Sequence, residues 1–384
     1  MAAGLAAASV APVSAVAHGA VRVELPAPGG PYEIGTVALH LVDRSRADPW
    51  EGSPQRELMI SVWYPATGSG QRVAPHMERG AAERFGAVTR HRIPPGTVDW
   101  AATRTHAGEG APVDPRGPWP VVVYSPGSGD PRSWGTVLVE ELASRGYVVA
   151  TIDHTYESPA VQFPDGSVKG NDRMLEEFAR AQEEGTVPAV LAKMLHARIG
   201  DTRFVLDQLA TLPRGMADLR RVGMFGQSAG GFTAAQGMYE DRRIRAGIDL
   251  DGTLEFNSEP NGTNLSSVAL HGLRRPFMLM GRQGIDHTNE PSWGAFWSHS
   301  RGWRRDLTLL GSKHQTYTDL AAIMPQTGLP RNVMEGAIGT TDPSRAVVAQ
   351  RAFAVSFFDR WLRHRDDHLL DGPSPRYPEI KFVR

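Results

Sequence analysis

The sequence has 384 residues, 41% of them hydrophobic and 22% charged, which is enough apolar material for a sizeable core. Its formal net charge of −1 gives no pull toward nucleic acid or an anionic membrane. It contains no cysteine, which excludes disulfides, thiolate metal sites and cysteine nucleophiles. Residues 2–17, AAGLAAASVAPVSAVA, are nearly all small or apolar and end in Ala15-Val16-Ala17, an A-x-A pattern like a signal-peptidase site. No basic stretch precedes them. Residues 1–18 are expected to be a signal-peptide remnant, implying secretion, or a disordered tail. No later segment is long and apolar enough to span a bilayer.

From there on, short β-branched runs alternate with helical stretches, the pattern of a mainly parallel sheet with helices on both faces. Residues 32–43 and 56–67 half-alternate and suit an antiparallel pair at a sheet edge. Residues 68–117 are polar and rich in Gly, Pro, Arg and His. They read as a long connection, with room for one short helix, over the face that carries the site. WPVVVYS (119–125) is a buried-type strand, 133–145 an amphipathic helix ended by Gly146, and YVVATID (147–153) the next strand. A polar insertion at 154–187 precedes a long helix over about 188–210. RVGMFG (221–226) is a strand and 230–240 a helix. RAGIDLD (245–251), RPFMLMG (275–281) and RDLTLLG (305–311) are further strands, and a helix over about 343–364 closes the unit. No repeat, heptad pattern or linker divides the chain, so residues 19–384 read as a single domain with insertions at about 68–117 and 154–187.

Gly226-Gln227-Ser228-Ala229-Gly230 is a G-x-S-x-G sequence that occurs once. A strand precedes it and a helix follows, the context of a nucleophile turn in an α/β-hydrolase fold. Such a turn strains the serine backbone and lifts its Oγ above the sheet. A serine hydroxyl needs a base within hydrogen-bond reach, and the base needs an orienting carboxylate. The chain order in this fold is Ser, acid, His. Among His271, His287, His299, His314, His364 and His368, His314 stands out because it directly follows the strand RDLTLLG. Two acids compete. Asp251 ends the strand after the nucleophile helix, and Asp286 follows the next strand. Asp249 alternates to the same side as Asp251, one pleat deeper, and reads as a structural hydrogen-bonding group.

Four segments, YSPGSG (124–129), GQSAGG (226–231), GIDLDG (247–252) and GSKHQTYTD (311–319), resemble the platelet-activating-factor acetylhydrolase family, plasma or type II branch. The resemblance suggests a bacterial, secreted, esterase- or lipase-like member. It implies Ser228, Asp251 and His314 as a catalytic triad, moving the preference from Asp286, the alternative acid, to Asp251. It also implies oxyanion donors from the amides of Ser128 and Ala229. One departure is Pro126-Gly127-Ser128-Gly129, where the family usually has His-Gly-x-Gly. The donor there is a backbone N–H, which loss of a histidine side chain need not remove.

The expected activity is carboxyl-ester hydrolysis through an acyl-enzyme, on short-acyl or lipid esters, with no cofactor and no metal. No H-E-x-x-H or phosphate-cradling loop occurs. The expected partner is a small-molecule ester or lipid substrate, with no nucleic acid and no integral membrane segment. Oligomeric state is not legible. An acyltransferase, a peptidase or a cutin-type polyester hydrolase would use the same site, and a non-catalytic binding protein could keep the fold. Residues 68–117, 154–187 and 285–303 are expected to shape the pocket. The last carries Trp293, Phe296, Trp297 and Trp303, which would grip an acyl chain or pack a core.

Overall fold

A computed structural model describes residues 19–384 apart from residues 69, 71, 90, 214 and 258, so the expected leader at 1–18 lies outside the described residues. In chain order the elements begin with β1 (Glu33–Asp43), β2 (Arg56–Ala66), β3 (Val73–Pro75), α1 (Arg79–Val88) and β4 (Arg104–Glu109). Next come β5 (Trp119–Ser125), α2 (Thr136–Ser144), β6 (Val148–Asp153), β7 (Val161–Gln162), β8 (Val168–Lys169), α3 (Asp172–Glu184) and α4 (Val187–Leu209). β9 (Ala217–Gln227), α5 (Ala229–Glu240), β10 (Ile244–Leu250), α6 (Ser267–His271), β11 (Phe277–Arg282), α7 (Pro291–His299) and β12 (Arg304–Leu309) follow. The chain ends with α8 (Leu320–Ile323), α9 (Arg331–Ile338), α10 (Pro343–Arg363) and β13 (Ile380–Phe382).

Eleven strands form one sheet in the order β13-β12-β11-β10-β9-β5-β6-β2-β1-β4-β3. β6, β5, β9, β10, β11 and β12 run parallel, and the largely apolar sequences of β5, β6 and β11 fit strands covered on both faces. Alternation along β5 shows why. Val121 and Val123 join the core beneath α4 and α5, while Val122 and Tyr124 join the core beneath α2 and α10. The chain runs outward from β5 to β6 and then returns to place β9 on the other side of β5. At such a reversal the connections diverge and leave a crevice at the carboxyl ends of the strands. The turns after β5 and β9 open into it. This is the α/β-hydrolase arrangement.

Two expectations about the edges change. β1 and β2 pair antiparallel, but they are not the edge, because β4 pairs with β1 and β3 with β4. The sequence of β4, RTHAGE, is too polar to read as a strand, and its pairing with β1 at Gly35 and Thr36 supplies what its composition lacks. The 68–117 segment therefore extends the sheet as well as adding α1. Residues 154–187 contain the β7–β8 hairpin and α3. At the other edge, the three-residue β13 pairs antiparallel with β12.

Candidate active site

The turn between β9 and α5 places Ser228 at φ +56° and ψ −123°, a region an L-residue enters only under constraint. The constraint is visible in its neighbours. A Cβ on Gly226 would come within 2.2 Å of the Gly230 carbonyl carbon, and one on Gly230 within 1.8 Å of the Ser125 carbonyl oxygen. Only glycines let α5 start this close to β5 and β9. The Ser228 amide donates to the Leu250 carbonyl at 2.9 Å, which ties the turn to β10.

Asp251 follows β10 directly and also has a positive φ, +59°. Its carboxylate is buried and takes three hydrogen bonds. Oδ2 accepts from His314 Nδ1 at 2.5 Å and from Arg282 Nη1 at 2.6 Å, and Oδ1 accepts from the Arg282 amide at 3.0 Å. His314 is held from the other side as well. The Gln227 side-chain amide lies 3.0 Å from His314 Nε2 and donates to the His314 carbonyl at 3.3 Å. With Nδ1–H given to Asp251, Nε2 carries the lone pair that a serine proton needs. The loop bearing His314 is pinned by Tyr317, whose hydroxyl donates to Gly281 O at 2.7 Å, and by Asp319, which accepts from the Thr136 and Val137 amides at the start of α2.

Asp286 stands apart. It accepts from the Thr288 amide at 2.9 Å and from the Thr288 hydroxyl, and it lies 3.5 Å from Lys381 Nζ. Burial would raise its carboxyl, but these hydrogen bonds and the lysine charge hold it below the usual range. Asp249 is fully buried behind the turn and accepts from the Gly252 amide at 2.8 Å, and burial pushes its carboxyl well above the usual range. His287 bonds Asp306 and stacks on Trp297, and His299 bonds the Ala269 carbonyl. Neither lines the cavity described next.

Ser228, His314, Asp251, Ser128 and Ala229 share a cavity of about 590 Å³. Leu191, Met194 and Phe232 form an apolar wall, and Arg92, Lys313 and Glu259 stand at an exposed charged rim. Of the segments expected to shape the pocket, 68–117 contributes His91 and Arg92. None of 154–187 or 285–303 lines it, and the wall comes from α4 and α5 instead. Trp293 and Phe296 pack in the core below α5. A larger open groove, about 740 Å³, lies against α2 and α10 and contains none of these groups. Asp366, His368 and Asp371 bring three ligand atoms within 4.8 Å of one another on the exposed surface, away from the cavity. Among the described residues no helix is long and apolar enough to cross a membrane.

Gln227, Arg282 and Arg198, described below, are site neighbours that sequence reasoning missed. Gln227 is the free position of a turn motif and Arg282 an ordinary strand-end arginine. Only Arg198 left a trace, a charge within the apolar stripe of the 188–210 helix.

Fold and site define an ester hydrolase, and comparison with known proteins gives its family. The family model for platelet-activating factor acetylhydrolase, isoform II, matches residues 20–216. A solved ferulic acid esterase from Streptomyces cinnamoneus is 38% identical and superposes with a TM-score of 0.77 over 94% of this chain and 99% of that one. A protein of Arthroderma benhamiae described as a probable 1-alkyl-2-acetylglycerophosphocholine esterase is 28% identical over 94% of this chain and 93% of its own. The platelet-activating factor acetylhydrolase of Cavia porcellus is 22% identical over 88% of this chain and 78% of its own. The chain is a carboxylic ester hydrolase and belongs to the platelet-activating factor acetylhydrolase, isoform II, family.

Proposed function

We propose that the protein hydrolyses short-acyl carboxylic esters, including lipid esters, through an acyl-enzyme on Ser228 with His314 as base and Asp251 as orienting acid. The observation that carries this reading is the 2.5 Å contact between His314 Nδ1 and Asp251 Oδ2 in the cavity that Ser228 lines. His314 Nε2 takes the Ser228 proton as Oγ bonds to the ester carbonyl carbon, and the Gln227 amide yields Nε2 at that moment. Asp251 fixes the tautomer and stabilises the imidazolium. The carbonyl oxygen, now an anion, receives the Ser128 and Ala229 amides. The imidazolium then protonates the leaving alcohol oxygen as its bond to carbon breaks. Water attacks the acyl-enzyme by the same route and regenerates Ser228. We further read residues 19–384 as one domain and Ala15-Val16-Ala17 as the end of an export signal, so that the enzyme acts outside the cell.

The Leu191–Met194–Phe232 wall supports an acyl group of limited length. The activities named for the relatives support acetyl esters of glycerophosphocholine and feruloyl esters as probes. Rates on p-nitrophenyl esters from acetate to palmitate, an sn-2-acetyl glycerophosphocholine and methyl ferulate test the reading. kcat/KM is expected to be highest for acetyl to butyryl esters and measurable for the acetyl phospholipid. Cleavage restricted to long-chain triglycerides or polyesters would contradict it.

A further inference from the structure

We propose that Arg198 is a positioning residue of the oxyanion site, holding the Gly127–Ser128 peptide so that the Ser128 amide hydrogen faces the reacting carbonyl. The proposal rests on the reading above, in which Ser228 attacks and Ser128 donates. A trans peptide is planar, so its carbonyl oxygen and the next N–H point in opposite directions. Arg198, buried on α4, reaches the loop after β5 from beneath. Its Nη2 donates to the Gly127 carbonyl at 3.2 Å and its Nη1 to the Pro126 carbonyl at 2.6 Å. Fixing the Gly127 carbonyl on the buried side fixes the Ser128 N–H on the opposite side, and Ser128 lines the cavity with Ser228 and His314. The guanidinium also polarises that peptide, which makes its N–H a stronger donor.

Arg198 is itself held through all three guanidinium nitrogens. Nε donates to Glu157 Oε2 at 2.6 Å, and Nη1 also reaches the Ser125 hydroxyl at 3.4 Å. Beneath lies a second Ser-His-Asp relay. Ser125 Oγ is 2.9 Å from His154 Nε2, and His154 Nδ1 is 2.9 Å from Asp201 Oδ2. Their exposures are 0%, 1% and 0%, so no substrate reaches them. Burial, then the charge of Arg198, lowers the His154 imidazole below its ordinary value, which leaves Nε2 free to accept from Ser125. This relay is a dry floor for the oxyanion loop. It gives that loop, which begins at Pro126, a rigid anchor. A planar fork spanning one carboxylate and two carbonyls is a task for arginine, since lysine offers one point of charge.

The test compares wild type, Arg198→Met, Arg198→Lys and Glu157→Gln on p-nitrophenyl acetate and on its thionoester, whose sulfur anion fits an oxyanion site poorly. Rates are normalised to titrated active sites. Loss of a whole oxyanion donor costs about 10²–10³ in kcat, so misdirecting one is expected to cost about 10- to 100-fold. KM should stay within about threefold, and the preference for ester over thionoester should shrink in Arg198→Met, less so in Arg198→Lys. A purely structural arginine would lower the number of titratable sites and leave that preference unchanged, and this result would overturn the proposal. If Arg198→Met does not fold, Arg198→Lys and Glu157→Gln carry the same readout. Ser228→Ala separates the two levels. Activity that survives it removes the underlying reading, whereas an inactive Ser228→Ala beside an unimpaired Arg198→Met removes only the role of Arg198.

Discussion

At Ser228 and Asp251 the backbone sits at φ +56° and +59°, in a region that costs on the order of 1–3 kcal/mol for side chains of this kind. Strain of this size persists where the surroundings over-determine it, as the glycines beside Ser228 and the three hydrogen bonds to the Asp251 carboxylate do here. Asp251→Asn keeps the shape but loses an acceptor that both His314 and Arg282 use. We expect kcat to fall about 10⁴-fold, by analogy with the known cost of a wrong imidazole tautomer. Asp286→Asn, which touches only the turn contact to Thr288 and the ion pair with Lys381, should leave kcat within about threefold. Steady-state kinetics of the two variants measure this, and a larger loss for Asp286→Asn would move the acid to that position.

Among the elements, those that read clearly in the sequence are those whose sequence and environment agree. β5 and β6 are mostly apolar runs because both faces are covered, and α4, α5 and α10 carry apolar stripes that face the sheet. β4 was hidden by its polarity, and β13 by its three-residue length, since each exists through its neighbour. The polar support between α4 and the ends of β5 and β6 was equally hidden, because the partners Arg198, Glu157, His154 and Asp201 lie far apart in the chain. It has a consequence for stability. The unfolded chain takes up a proton on His154 as pH falls through 6.5, while the folded chain, with its imidazole lowered by burial and Arg198, does so only at lower pH. Folding is therefore disfavoured increasingly below pH 6.5. Burial would raise the Asp201 carboxyl, but Arg56 and His154 hold it well below 3.8, so its contribution is present above 3.8 and is lost only in stronger acid. The His154 contribution should therefore shrink on going from pH 7.5 to 5.5. Denaturant unfolding at both pH values should show a smaller pH dependence for His154→Gln than for wild type. Equal dependence would mean that His154 protonates alike in both states.

For the molecule as a whole, one geometric fact organises the site. The strand order reverses at β5, so the loops after β5 and β9 face one crevice, and the segments after β10 and β12 bring Asp251 and His314 to it, in the chain order Ser, Asp, His. That order is what singled out Ser228, Asp251 and His314, the groups of the proposed triad, in the sequence. The pocket wall was not visible, because Leu191 and Met194 belong to a helix whose direction across the site depends on packing. The most direct measurement is the position of the acyl group on enzyme quenched during turnover of a p-nitrophenyl ester. Peptide mapping should place the added mass on Ser228, with no labelled peptide and at least about a 10⁴-fold loss of kcat in Ser228→Ala. Acyl mass on another residue, or Ser228→Ala turning over at the wild-type rate, would contradict the account.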